Sequence, residues 1–217
     1  NESVDELLFN DSKIIGVKTN LRNIDADYVI LSGGVIGTCE LLLSESEKQQ
    51  KKSNDILNGL TFGEKIQDHT NLRINILTNK SIGSLNEISN SFSQKTSLFL
   101  KHFTGRATLM KGTGASSSVH LDLNGDGVID TRIQVVQFSE TGRHGSDGNF
   151  FSSTHPGFSL SITTIHPRSK GKIIKDGIKN IVDPMYLSSK NDMELLKLAL
   201  KFCLKFLRSS PINEHIL

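Results

Sequence analysis

Residues 26–43 read ADYVILSGGVIGTCELLL, and this stretch decides the fold. Ala26 to Leu31 is a short, largely β-branched and apolar run, which suits a strand buried on both faces of a parallel sheet. Ser32-Gly33-Gly34 follows at once, and then a helical stretch from Thr38 to Ser46. Strand, glycine-rich turn and helix together let backbone N–H groups approach a dinucleotide. Gly33 and Gly34 carry no Cβ to block that approach, and a helix start favours a phosphate. Glycine turns between strand and helix are common in α/β proteins, so the pattern alone fits equally a tight turn that binds nothing.

Upstream, Val4 to Phe9 and Lys13 to Thr19 flank the turn-forming Asn10-Asp11-Ser12, which predicts a hairpin. Downstream, Glu47 to Asn58 is polar and predicts a mobile surface connection; its lysines, Lys48, Lys51 and Lys52, read as a solvated loop or helix end. Thr70 to Thr78 alternates, with Leu72, Ile74 and Ile76 against Arg73 and Asn75, so a half-buried strand is expected. Ser81 to Ser97, rich in Ser and Asn, reads as a flexible loop. Arg132 to Phe138 and Phe158 to Ile165 alternate again and suit an antiparallel sheet. From Asp192 to Arg208, apolar residues at 195, 196, 199, 202, 203, 206 and 207 form a helical stripe that should pack beneath that sheet. Ser189 with Asp192 resembles its N-terminal cap.

The chain has 217 residues, 36% apolar and 22% charged, enough for one large or two small domains. Its 25 Lys and Arg against 23 Asp and Glu leave a net charge of +2. That balance makes no electrostatic case for nucleic acid or an anionic membrane as partner. Cys39 and Cys203 cannot build a disulfide framework and read as buried free thiols. No apolar run approaches the ~20 residues that cross a bilayer. The opening Asn1-Glu2-Ser3 has no signal-peptide pattern, and localisation stays open.

Two constellations invite chemistry. Asp122-Leu123-Asn124-Gly125-Asp126-Gly127 places oxygens at positions one, three and five, with glycine at six, as a calcium loop asks. Its twelfth position is Ile133 and its flanks read as strands, so an Asn/Asp/Gly hairpin turn is the competing and favoured reading. Asp68-His69 pairs a carboxylate with an imidazole, but neighbours on an extended chain point apart, which favours an anchoring role. The other histidines, at 102, 120, 144, 155, 166 and 215, show no metal-ligand spacing.

Four segments in order resemble the glucose–methanol–choline oxidoreductases. Val29 to Leu43 is similar to the family's second signature. Gly63-Glu64-Lys65-Ile66-Gln67-Asp68-His69 resembles Gly-x-Asn-Leu-x-Asp-His. Pro167-Arg168-Ser169-Lys170-Gly171 looks like Pro-x-Ser-Arg-Gly, and Asp183-Pro184-Met185-Tyr186-Leu187 like a Pro-Asn-Tyr-Leu stretch. Departures are Cys39 for Pro, Glu45 for Gly, Lys65 for Asn and Met185 for Asn. The resemblance implies an α/β plus α+β fold. Residues 1–68 would be the C-terminal portion of the first, Rossmann-like FAD-binding segment. Residues 69–217 would be a substrate domain with an antiparallel sheet and flanking helices, roofing the substrate site. It implies FAD as cofactor, with the backbone of Val4 at the adenine edge and Gly33 and Gly34 near the ADP half.

The implied activity is oxidation of a CH–OH group in a small-molecule alcohol by hydride transfer to flavin. The family's first glycine signature and its catalytic-histidine segment have no counterpart here, so no catalytic residue is assigned. The chain is then expected to be an internal piece, inactive alone, whose partners are the N- and C-terminal parts of the same protein. The alternatives are a non-redox or light-driven flavoenzyme of the same family, a catalytically dead calcium-stabilised binding module, and a truncated product with no stable fold.

Overall fold

The structure, a computed structural model, describes residues 2–11, 13–49, 57, 60–106, 114–142, 151–152, 155–176 and 179–217. In chain order the elements are β1 (Val4–Asn10), β2 (Lys13–Thr19), β3 (Asn23–Asp25) and α1 (Gly34–Gln49). Then come β4 (Asn71–Leu77), α2 (Leu85–Asn90), α3 (Phe92–Phe103), β5 (Ala115–Leu121) and β6 (Thr131–Val136). The rest are β7 (Glu140–Gly142), β8 (Phe151–Ser152), β9 (Gly157–Thr164), β10 (Lys172–Asp176), β11 (Lys179–Asp183) and α4 (Lys190–Leu207). Two compact units result: Asn1–Asp68 with Ser169–Ser188, and His69–Arg168 with Ser189–Leu217.

In the first unit, β1, β2 and β3 form an antiparallel sheet in that order, with the expected hairpin at Asn10-Asp11. The expected strand Ala26–Leu31 does not form. Tyr28 and Ile30 are 89% and 87% exposed where burial on both faces was expected. The reason is a missing ladder. The Ala26 N–H donates to the Ile15 carbonyl at 2.8 Å, and beyond it no described strand runs alongside. Apolar, β-branched residues do not hold a strand without a neighbour to take their backbone groups. Helix α1 begins at Gly34, earlier than expected, and absorbs Glu47–Gln49; of the rest of the expected connection, 50–56 and 58 lie outside the described residues. Lys48 in its last turn is not merely solvated: it bridges Glu6 of β1 and the buried Glu45, each at 3.2 Å. Cys39 is half-buried.

The second unit is built on a four-stranded antiparallel sheet, β4-β9-β6-β5. Register sorts its residues by face. Ile162 of β9 lies between Leu72 and Ile133, and Leu160 between Ile74 and Val135. These apolar residues pack with Ala199, Cys203, Leu196 and Leu207 of α4, so the amphipathic helix covers this face as its stripe predicts. Phe202 and Phe206 depart from the stripe. Each is 41% exposed, lining with Val119 and Val135 a groove of about 350 Å³. At the helix start, buried Asp192 accepts the Arg168 N–H at 2.9 Å.

The expected loop Ser81–Ser97 is two helices. The signal overlooked is Ser84-x-x-Glu87, a capping box in which the Glu87 carboxylate accepts the Ser84 N–H at 2.8 Å. Fully buried Asn86 then fixes α2, its amide exchanging two 2.9 Å hydrogen bonds with the Ser139 backbone. The second helix, α3, runs on to Phe103.

Two outcomes test this packing. Leu160→Ala leaves a cavity at the sheet–helix junction and should lower unfolding free energy by ~2–5 kcal/mol in urea titration, while exposed Lys201→Ala should stay within ~0.5 kcal/mol. Burial pushes the Cys203 thiol up to about 11. An unfolded thiol titrates near 8.5, so the fold holds a proton that the unfolded chain releases. Stability contributed by Cys203 is thus complete below pH ~8.5 and is lost as pH rises toward 11. Melting curves should show that loss in the native chain and not in Cys203→Ala.

Candidate functional site

The first unit places Val4 and Gly33 on one concavity of about 590 Å³. Its other walls include Val17, Ala26, Tyr28, Leu31 and Thr38. The Ser3 carbonyl accepts the Asn20 N–H at 3.1 Å, and Val4 pairs with Thr19 one step along. Alternation therefore turns the Val4 N–H and C=O away from β2, toward the free edge of the sheet. Gly34 opens α1 at φ +76° with open space where a Cβ would be. Its need for glycine is conformational. Gly33 differs: a Cβ there would make only ordinary contact, 3.6 Å from the Thr38 nitrogen, so nothing in the chain itself demands glycine. The first turn of α1 carries no acidic residue, which leaves its positive end unopposed.

Three of the motif segments meet in the same unit. Gly171 exchanges backbone hydrogen bonds with Ile66 at 2.8 and 3.1 Å, and the Ile173 N–H donates to Gly63 at 2.7 Å. A Cβ on Gly171 would sit 2.3 Å from the Asp183 carbonyl oxygen, and one on Gly63 2.8 Å from that of Ile173. The Tyr186 hydroxyl donates to the Asp68 carboxylate, and that bond raises the tyrosine pKa. In the second unit the His69 Nδ1 lies 2.8 Å from the Thr164 carbonyl. Asp68 and His69 thus serve different partners and form no acid–base pair.

The face of the second unit's sheet turned away from α4 is polar. One row across it reads Asn71, Thr163, Arg132, His120, and the next Arg73, Ser161, Gln134, Ser118. Asn71 donates to the hydroxyls of Ser161 and Thr163 at 2.8 and 2.9 Å. Arg73 pairs with the buried Glu140 and stands 5.7 Å over the Phe138 ring. Sequence alternation in 70–78, 132–138 and 158–165 carried this face, although no residue on it had been assigned a role in a site.

The turn between β5 and β6 holds the calcium-loop residues. Asp122 accepts the N–H groups of Gly125 and Gly127, both at 2.7 Å. Asn124 accepts the Asp126 N–H and Asp126 the Val128 N–H, each at 2.9 Å. The turn closes on its own hydrogen bonds. Among the described residues no three His, Cys, Asp or Glu side chains converge as a metal cluster, and no helix is long and apolar enough to cross a membrane.

No protein-family description matches the chain, and no curated protein does. Solved structures do. A formate oxidase variant from Aspergillus oryzae superposes over all of this chain and 44% of its own, with TM-score 0.80 at 13% identity. Pyridoxine 4-oxidase from Mesorbium loti covers the whole chain and 41% of its own, at TM-score 0.68 and 15% identity. An FAD-dependent oxidoreductase from Chaetomium thermophilum covers 98% of this chain and 44% of its own, at TM-score 0.76 and 12% identity. The fold of this chain is theirs. It combines an α/β part with antiparallel sheets and helices, and it spans less than half the length of each of these relatives.

The two kinds of glycine should separate experimentally. Gly171→Ala forces backbone apart and should destabilise the first unit by more than the ~1 kcal/mol expected for a residue strained at positive φ in Gly34→Ala. Thermal melts of the two variants provide the comparison.

Proposed function

We propose that the chain is part of a flavin-dependent oxidoreductase acting on the CH–OH group of a small alcohol. The single observation that carries the reading is the convergence of Val4, on the edge strand β1, with Gly33 and the first-turn residues Gly37 and Thr38 of α1 on one cavity, where no acidic residue opposes the helix start. That set suits an adenosine diphosphate. A flat base can pair with backbone groups at a strand edge and lie on Val17 and Leu31, while a diphosphate is favoured near a helix start. FAD, when bound, supplies the hydride acceptor. The chain's own residues then bind and orient: Val4 through its backbone, Gly34 by the turn that aims α1. In the second unit the polar sheet face is the wall offered to substrate, and α4 stiffens that wall from behind. The fold shared with formate oxidase and pyridoxine 4-oxidase supports the reading.

The test uses the complete gene product. Purified and desalted, it should carry flavin absorbance, and Gly34→Val should reduce flavin content several-fold while leaving the second unit's melting unchanged. Val4→Ala should retain flavin, because only backbone atoms are used there. A colourless protein that takes up no added FAD would sink the proposal.

A further inference from the structure

The polar sheet face holds two arginines in unlike states. Arg73 is neutralised: the buried Glu140 pairs with its Nη1 and Phe138 covers it, although its Nε, like that of Arg132, is buried without a hydrogen-bond partner. Arg132 is not. Register sets it between Thr163 and His120, its Nε is buried without a hydrogen-bond partner, and no acidic side chain among the described residues pairs with it. The acids nearest in sequence are engaged elsewhere. Asp130 accepts the N–H groups of Leu123 and Asn124, and Asp122 those of Gly125 and Gly127.

Around Arg132 the face offers neutral hydrogen-bonding groups, Gln134, Ser118 and the Thr163 hydroxyl. That hydroxyl accepts from Asn71 and keeps its own proton to donate. A guanidinium with neutral donors beside it and, among the described residues, no carboxylate paired to it suits an oxyanion, which the planar N–H fork can grip in two places. Burying that N–H without an acceptor is costly, and a bound anion would remove the cost.

We propose that Arg132 is a specificity-determining contact for a carboxylate carried by the substrate. The inference rests on the reading of this face as the substrate wall and narrows the alcohol to one bearing an acid group. No bond is made or broken by Arg132, which recognises and positions only.

The experiment is an NMR titration of the 217-residue chain with sodium acetate, at ionic strength held constant with sodium chloride. It follows the imidazole signals of His120, assigned by their loss in His120→Gln. Acetate should shift them saturably, and neutral acetamide should not. Arg132→Gln should weaken acetate binding by about tenfold or more, and Arg132→Lys by less, since a single ammonium keeps the charge and loses the fork. If Arg132→Gln does not fold, the partial loss in Arg132→Lys decides. No shift in the native chain, an equal shift with chloride, or unchanged affinity in both variants would overturn the proposal. Acetate binding needs no flavin, so the two readings fail separately. Flavin retention by the complete gene product without acetate binding sinks this inference alone, and acetate binding where the complete gene product takes up no FAD sinks the flavoenzyme reading.

Discussion

The pleat of β9 is the constraint on which the second unit depends. Successive side chains of Gly157–Thr164 must point to opposite faces, and β9 lies between β4 and β6. Phe158, Leu160 and Ile162 therefore fall on one side with Leu72, Ile74, Ile76, Ile133 and Val135. Ser159, Ser161 and Thr163 fall on the other with Asn71, Arg73, Asn75, Arg132 and Gln134. A slip of one residue would bring serines against α4 and turn Leu160 and Ile162 toward the arginines, so register is strongly specified. One strand thereby fixes both the core and the surface offered to a ligand.

In the first unit the corresponding constraint is close backbone approach. Gly171 touches the Asp183 carbonyl and Gly63 runs against Ile173, so the two glycines let residues 63–66 lie along the start of β10. Tyr186 on Asp68 ties a third segment to them. These are the residues through which the chain most resembles known oxidoreductases, and their work is packing. Such motifs locate a fold and say little about chemistry, which explains how a convincing resemblance can name a cofactor and leave the substrate unnamed.

Elements that depend on local periodicity were legible in the sequence. β4, β6, β9 and α4 carry a period of two or 3.6 and lie where that period puts them, and the β1–β2 hairpin follows from its turn residues. Two failures had opposite causes. Residues 26–31 have a strand's composition but no described partner, and pairing is a property of the neighbour as much as of the run. Residues 81–97 have a loop's composition, yet one capping box and one buried amide organise α2, and Ser91 accepts the Gln94 N–H at the start of α3. The positive φ of Gly34 was legible from its turn. The role given to Val4 came only through resemblance, because a backbone contact leaves no mark on residue type.

The walls of the cavity and the exposed run of the first unit are the same residues. Tyr28, Ile30 and Leu31 line the concavity and also stand in water. Apolar surface left exposed costs ~25 cal/mol per Å² relative to burial, so the run gains from anything that covers it. A ligand filling the cavity would do so, and a segment outside any described strand, tied to β2 at Ala26 and leading into α1, has freedom to lose when that happens. Occupancy and local order in residues 26–33 are therefore thermodynamically linked: whatever stiffens the run improves the site, and whatever fills the site stiffens the run. Through this linkage a substitution at Gly34 that relaxes the turn frees the run and so weakens the site even where it leaves the cavity walls intact.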